Sequence, residues 1–154
     1  MLKVGIISDT HGYLDPAVKR LFQGVGRILH GGDIGMSQVI SALEEIAPVT
    51  AVTGNTDAGM DFRETELIRL AGKKFLLHHI VDVTAPAEAL QRRIQAEKPD
   101  VVVFGHTHRR FCESVGTTLY FNPGYAGKPR FNLLRSVAIL TCGESRIEAE
   151  FVDL

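Results

Sequence analysis

The chain has 154 residues, 45% of them hydrophobic, with a formal net charge of −1 and a mean hydropathy of +0.07. That length fits one domain, residues 1–154, able to bury a core without disulfides or a structural metal. Seventeen basic against eighteen acidic residues exclude the one-signed basic field that wholesale binding to nucleic acid or an anionic membrane requires, while a local site for a small anion stays open.

Lys3–Ser8 (KVGIIS) is a short apolar run ending in a polar turn, as expected of a buried strand. The N-terminal stretch has none of the sections of a signal peptide, and no apolar stretch approaches a membrane span. Asp15-Pro16 supplies a helix cap followed by proline, and Val18, Leu21, Phe22 and Val25 follow at helical spacing. Arg27–His30 is a strand entering Gly31-Gly32; a second helix begins near Ser37 and is stopped by Pro48. Val49–Thr53 is β-branched and again runs into glycine.

Two β-like runs, Glu66–Leu70 and Lys73–His78, flank Ala71-Gly72 and predict a hairpin. Pro86–Glu97 has a helical pattern, and Asp100–Phe104 is another buried strand. Phe111–Val115, Thr117–Phe121, Ser136–Cys142 and Arg146–Val152 look like consecutive, mostly antiparallel strands. Cys112 and Cys142 fall in separate runs without metal-like spacing and read as two free thiols, which fits a reducing cytoplasm. The pattern predicts a layered α/β domain.

The chemistry sits where these runs end. Five of them finish in polar clusters: Asp9-Thr10-His11-Gly12, His30-Gly31-Gly32-Asp33, Gly54-Asn55-Thr56-Asp57, His78-His79 and Gly105-His106-Thr107-His108. Taken singly, each has an ordinary explanation as a turn, a cap or a core histidine. Together they hold all six histidines of the chain. Ligands bind outside the carboxyl ends of parallel strands, so these ends gather the clusters at one place. Asp9/His11 and His106/His108 are two positions apart, which on extended backbone turns both side chains to one side. Carboxylates, an amide oxygen and ring nitrogens without a thiolate suit two divalent ions. Manganese is the first expectation, with nickel, iron, cobalt or zinc as alternatives. Two such ions sharing a carboxylate and a bridging hydroxide would attract a phosphate ester and attack its phosphorus at neutral pH.

These motifs, in this order, resemble the calcineurin-like metallophosphoesterase superfamily. They are most similar to its small bacterial and archaeal phosphodiesterase branch, whose motifs read D-x-H, G-D, G-N-x-D, H-G and G-H-x-H. The resemblance implies a sandwich of two packed mixed β-sheets flanked by helices, with a dinuclear centre at one end. Carried over residue by residue, Asp9, His11 and His108 hold one ion, Asn55, His78 and His106 the other, and Asp33 bridges them. Asp33, Asn55 and His79 are the candidate catalytic residues.

The chain departs from the pattern at three places. Thr56 stands where strong monoesterases often carry a proton-donating histidine, so either the leaving group needs little protonation or His79 or a bound water supplies the proton. His79 stands where the fourth motif has glycine; adjacent strand residues face opposite ways, and the pattern assigns His78 to the ions. Tyr125 replaces a frequent serine and is either an exposed ring on a Pro-Gly turn or a stacking surface for substrate. His30 is expected to buttress the Asp33 loop, Asp57 to hold the turn or a ligand, and Arg109 and Arg110 to be solvated or to reach a phosphate.

The expected partner is a small phosphate ester, with neither membrane nor nucleic acid, and an exposed strand edge leaves a homodimer open. The rival readings are a non-catalytic adaptor, as in the eukaryotic retromer subunit of this fold, and a monophosphatase or nuclease.

Overall fold

In the computed structural model, which describes all residues from Met1 to Leu154, the first apolar run forms β1 (Leu2–Ile7). Its alternate residues serve two interiors. Val4 and Ile6 face a second sheet, and Ile7 faces helices on the opposite side. Gly5 lies on the helix side, where a Cβ would meet the Phe22 ring at 2.9 Å. Only glycine admits that contact.

The helix that follows, α1 (Ala17–Leu21), is a short one, and the Asp15 carboxylate accepts the Ala17 N–H at its start. After β2 (Arg27–His30) comes α2 (Ser37–Glu44), which ends ahead of Pro48. β3 (Val49–Ala51) completes a parallel trio in the order β1-β2-β3. The expected hairpin forms between β4 (Thr65–Leu70) and β5 (Lys73–His78), with Leu70 opposite Lys73. Then come α3 (Glu88–Glu97) and β6 (Val101–Val103). Four further strands follow: β7 (Phe111–Val115), β8 (Thr118–Asn122), β9 (Ser136–Cys142) and β10 (Ile147–Asp153).

Two mixed five-stranded sheets result, ordered β10-β9-β1-β2-β3 and β4-β5-β6-β8-β7. In the second sheet β5, β6 and β8 are parallel, while β8 pairs with β7 and β9 with β10 antiparallel as expected, and the last residue of β8, Asn122, ends beside β6. Between the sheets lies a core that includes Val4, Ile6, Leu29, Phe75, Leu77, Val103 and Phe121. Val18, Val39, Ile40 and Leu43 seal α1 and α2 against the outer face of the first sheet. Leu90 does the same for α3 against Leu76, Val102 and Tyr120. The architecture is thus a four-layer α/β/β/α sandwich, as the motifs implied. Alternation on β5 sends Phe75 and Leu77 inward between the sheets and Leu76 outward toward α3. No helix is long and apolar enough to cross a membrane. Cys112 is exposed, Cys142 is buried, and both are free.

Candidate metal centre

The five clusters converge at the carboxyl ends of β1, β2, β3, β5 and β6. Six side chains form two groups, Asp9/His11/His108 and Asp33/His79/His106, and within each group one donor atom per residue lies within 4.8 Å of the others.

Both carboxylates are held in the same manner. Asp9 Oδ2 accepts the Ser8 hydroxyl at 2.7 Å and the His106 N–H at 3.1 Å. Asp9 Oδ1 is fully buried without a hydrogen bond. It lies 3.4 Å from His108 Nε2, 3.8 Å from His79 Nε2 and 3.9 Å from His11 Nε2. Asp33 Oδ1 accepts both the N–H and the hydroxyl of Thr56, at 3.0 and 2.8 Å. Asp33 Oδ2 faces His79 Nε2 at 3.2 Å and His11 Nε2 at 3.8 Å, one ring from each group. Each aspartate therefore has one oxygen tied to the protein and one turned toward the imidazoles. Gly54 packs against Asp33 and Gly105 against Ser8 and Asp9 so closely that a Cβ at either position would overlap those atoms.

The fourth motif corrects the expectation for His78. Its Nδ1 pairs with the Thr65 hydroxyl at 2.8 Å, directly across the β4–β5 ladder. It shares the outward parity of Leu76, whereas His79 shares the inward parity of Leu77 and lies only 3% exposed between the sheets. His79 Nδ1 donates to the Gly31 carbonyl at 2.7 Å, which fixes the tautomer and leaves Nε2 as the atom facing Asp33. His79 is thus the histidine of the H-G motif, and Ile80 stands at the glycine position.

A second correction concerns how the paired residues converge. Asp9, His11, Asp33, His106 and His108 all have positive φ, between 47° and 72°. Left-handed turns, not extended alternation, bring each pair together. Backbone of this kind costs about 1–3 kcal/mol per residue and persists where the surroundings over-determine it.

Those surroundings are visible. Thr10 Oγ1 donates to Ile34 O at 2.9 Å and pairs with His30 Nε2 at 3.0 Å, while His30 Nδ1 accepts the Gly32 N–H at 3.1 Å. Fully buried, His30 has its pKa pushed down to about 3, so the ring is neutral and bridges the β1 and β2 loops. Asp57 accepts N–H groups from Ile34, Gly35 and Gly54, binding the β2 loop to the β3 loop. Asn122 donates to Gly105 O and Thr107 Oγ1, both at 3.1 Å, and braces the last motif. The motifs alone assign no task to Ser8, Asn122 or the Thr56 hydroxyl, although for Ser8 and Asn122 a polar residue closing an apolar strand is the available signal.

Asn55 Oδ1 sits 3.2 Å from His106 Nδ1 at the exposed side of the centre. Tyr125 fulfils neither expectation. It is 1% exposed, its hydroxyl donates to Lys128 O at 2.9 Å, and its ring lies 4.8 Å from that of His108. Arg110 is committed elsewhere, to Ser136, Asp153 and the Phe151 ring. Arg109 is exposed and has no side-chain partner.

Burial raises the Asp9 carboxyl above its usual range, with His79 and the Ser8 hydroxyl pulling the other way. For Asp33 the same burial is outweighed by the Thr56 bonds and by His79 and His11, and the carboxyl falls below its usual range. Burial likewise lowers His108. The orphaned Asp9 Oδ1 and His79 Nε2, converging on ring nitrogens, fit a cation between them, because buried polar atoms without a partner are otherwise costly.

The calcineurin-like phosphoesterase superfamily domain matches residues 2–145. The chain belongs to that superfamily. It is similar to a "probable metallophosphoesterase" of Methanocaldococcus jannaschii, MJ0623, at 31% identity over 98% of this chain and 81% of the relative. It also matches the phosphodiesterase MJ0936 of the same organism at 30% identity over 80% and 83% of the two chains. Among solved structures, Vps29 of Entamoeba histolytica complexed with zinc superposes with a TM-score of 0.76 at 26% identity, covering 99% of both chains. The chain is therefore a member of a metal-dependent phosphoesterase family with two candidate metal-binding groups.

Proposed function

We propose that the protein is a phosphodiesterase that works with two divalent cations. One would be held by Asp9, His11 and His108, the other by Asn55, His79 and His106, with Asp33 between them. The observation that carries this reading is the matched pair of aspartates, each offering a single free oxygen to the imidazoles of both groups. When bound, two divalent ions supply Lewis acidity toward phosphoryl oxygens and activate a water for attack on phosphorus. Mixed nitrogen and oxygen donors without thiolate favour manganese, with nickel, iron, cobalt or zinc as alternatives.

The protein's own groups orient and restrain. Ser8, the His106 N–H and Thr56 keep each carboxylate presenting one oxygen. Gly31 O keeps His79 Nε2 directed at the centre, so His79 is a ligand and not a proton donor. The Thr56 hydroxyl is spent on Asp33, leaving no side-chain acid at that position for the departing group. Esters whose leaving groups need little protonation are then the better substrates.

A second reading, a protein-binding scaffold, draws on the likeness to Vps29; the complete donor set argues for catalysis. The test is to strip the protein of metal, add back Mn²⁺, Ni²⁺, Zn²⁺ or Mg²⁺, and assay aryl phosphodiesters beside monoesters. Turnover of diesters restored by a transition metal is expected. Silence with every ion would transfer the proposal to the scaffold.

A further inference from the structure

Two unequal spaces flank the centre. One, of about 140 Å³, is lined by Asn55, His78, His79 and Ile80 and carries the Glu64 carboxylate. The other, of about 510 Å³, opens beside His106 and is walled by Ile80, Val83, Phe104 and Phe111. The Phe104 and Phe111 rings meet edge to face at 5.8 Å. Arg109 lines the same cleft and is free of any ion pair or side-chain hydrogen bond. Ile80 lines both spaces and is 48% exposed. It occupies the position after His79 where the motif otherwise has glycine, so this chain has placed a branched apolar side chain on the partition.

We propose that the larger cleft is the subsite for one ester substituent of the phosphodiester, that it selects a planar aromatic group, and that Ile80 is the residue that sets this preference. The inference rests on the phosphodiesterase reading. Continuity with the centre comes through His106, which belongs to the Asp33 group and to the cleft wall. Most of the wall surface is apolar, with Asp82, Thr107 and Arg109 among its polar lining, so a flat ring buries more of that surface than a sugar would. A flat ring meets the aromatic edges, and the Arg109 guanidinium can stack on its face.

Two diesters sharing one leaving group isolate the effect: phenyl 4-nitrophenyl phosphate and methyl 4-nitrophenyl phosphate, assayed with the metal-loaded chain. The phenyl ester is expected to show a KM roughly ten- to a hundredfold lower, from burial of the ring. Ile80→Gly and Val83→Ser should each raise that KM about tenfold. Independently of turnover, phenylphosphonate added to zinc-loaded, methyl-labelled protein should shift the Ile80 and Val83 methyl signals, and methylphosphonate should leave them in place. Equal KM values for the two diesters would overturn the subsite while the phosphodiesterase reading stands. Methyl signals unmoved by phenylphosphonate would overturn it whatever the assays give. Loss of all turnover with the methyl shifts intact would instead remove the phosphodiesterase reading and keep the aromatic cleft.

Discussion

In the turns that directly follow β1, β2 and β6, five non-glycine residues carry left-handed backbone, and all five are aspartates or histidines of the two groups. At the opposite end of the sandwich, where β4 turns into β5, Ala71 also has positive φ, at 51°, but in an exposed two-residue turn with Gly72. The first set is locked by buried bonds from Ser8, Thr56, Asp57, His30 and Asn122; the second has no such bracing. Strain at the centre is tied to donor placement, whereas strain at the hairpin is a local choice of residue. Separate measurements can therefore address the two ends, activity for one and stability for the other.

The largest effect should come from Asp33→Asn. The substitution keeps the shape and the Thr56 bonds but removes the charge that faces both groups. Loss of about a thousandfold in kcat, some 4 kcal/mol, is expected with little change in thermal stability. A variant retaining most of its rate would show that this carboxylate does not join the two groups.

Next comes the contrast between neighbours. His79→Ala should cut kcat about a hundredfold or more and weaken metal binding, as loss of one ligand would. His78→Ala, which removes only the pairing with Thr65, should alter kcat less than about threefold. The reverse ranking would restore the assignment that the motif alone suggests.

That pair also shows what the amino-acid order could and could not convey. The strand, helix and cluster sequence was legible because each apolar run ends in polar residues, and the order of those endings carries the topology. Which of His78 and His79 faces inward was not. Leu76 and Leu77 are both fully buried, since a strand covered on both faces reads as continuous apolar sequence and hides its parity. The left-handed turns at Asp9 and His106 were equally hidden, because Asp and His tolerate such backbone without announcing it. Tyr125 follows Pro-Gly and looks like a surface turn; only the fold reveals that its hydroxyl has Lys128 O to satisfy it. The bracing role of Asn122 is hidden in the sequence because β8 runs parallel to β6, a pairing between distant segments that no local pattern encodes.

The bracing itself can be probed by pH. Folded His30 titrates near 3 and an unfolded histidine near 6.5. Below 6.5 the unfolded chain takes up a proton that the folded one refuses, so stability declines as the pH falls through this window. From pH 6.5 to 5 the contribution is about 1.5 kcal/mol. Urea titrations of the metal-free protein should show that decrement shrinking by this amount in His30→Gln, whose amide can still accept from Gly32 and donate to Thr10. An unchanged pH slope in the variant would mean that His30 does not resist protonation.

The smallest effect belongs to the hairpin. With φ of 51° at Ala71 and 76° at Gly72, the turn asks for two left-handed residues, the geometry that Asn-Gly adopts most readily. Alanine pays there for its Cβ without any compensating contact, because the turn is exposed. Ala71→Asn should therefore raise stability by about 0.5–1 kcal/mol and leave kcat and KM unaltered. Thermal unfolding beside a diesterase assay reads both quantities. A gain in stability accompanied by a fall in activity would mean that the two ends of the sandwich are coupled, and that the hairpin's strain is felt at the carboxyl end of β5, where His79 follows directly from the strand.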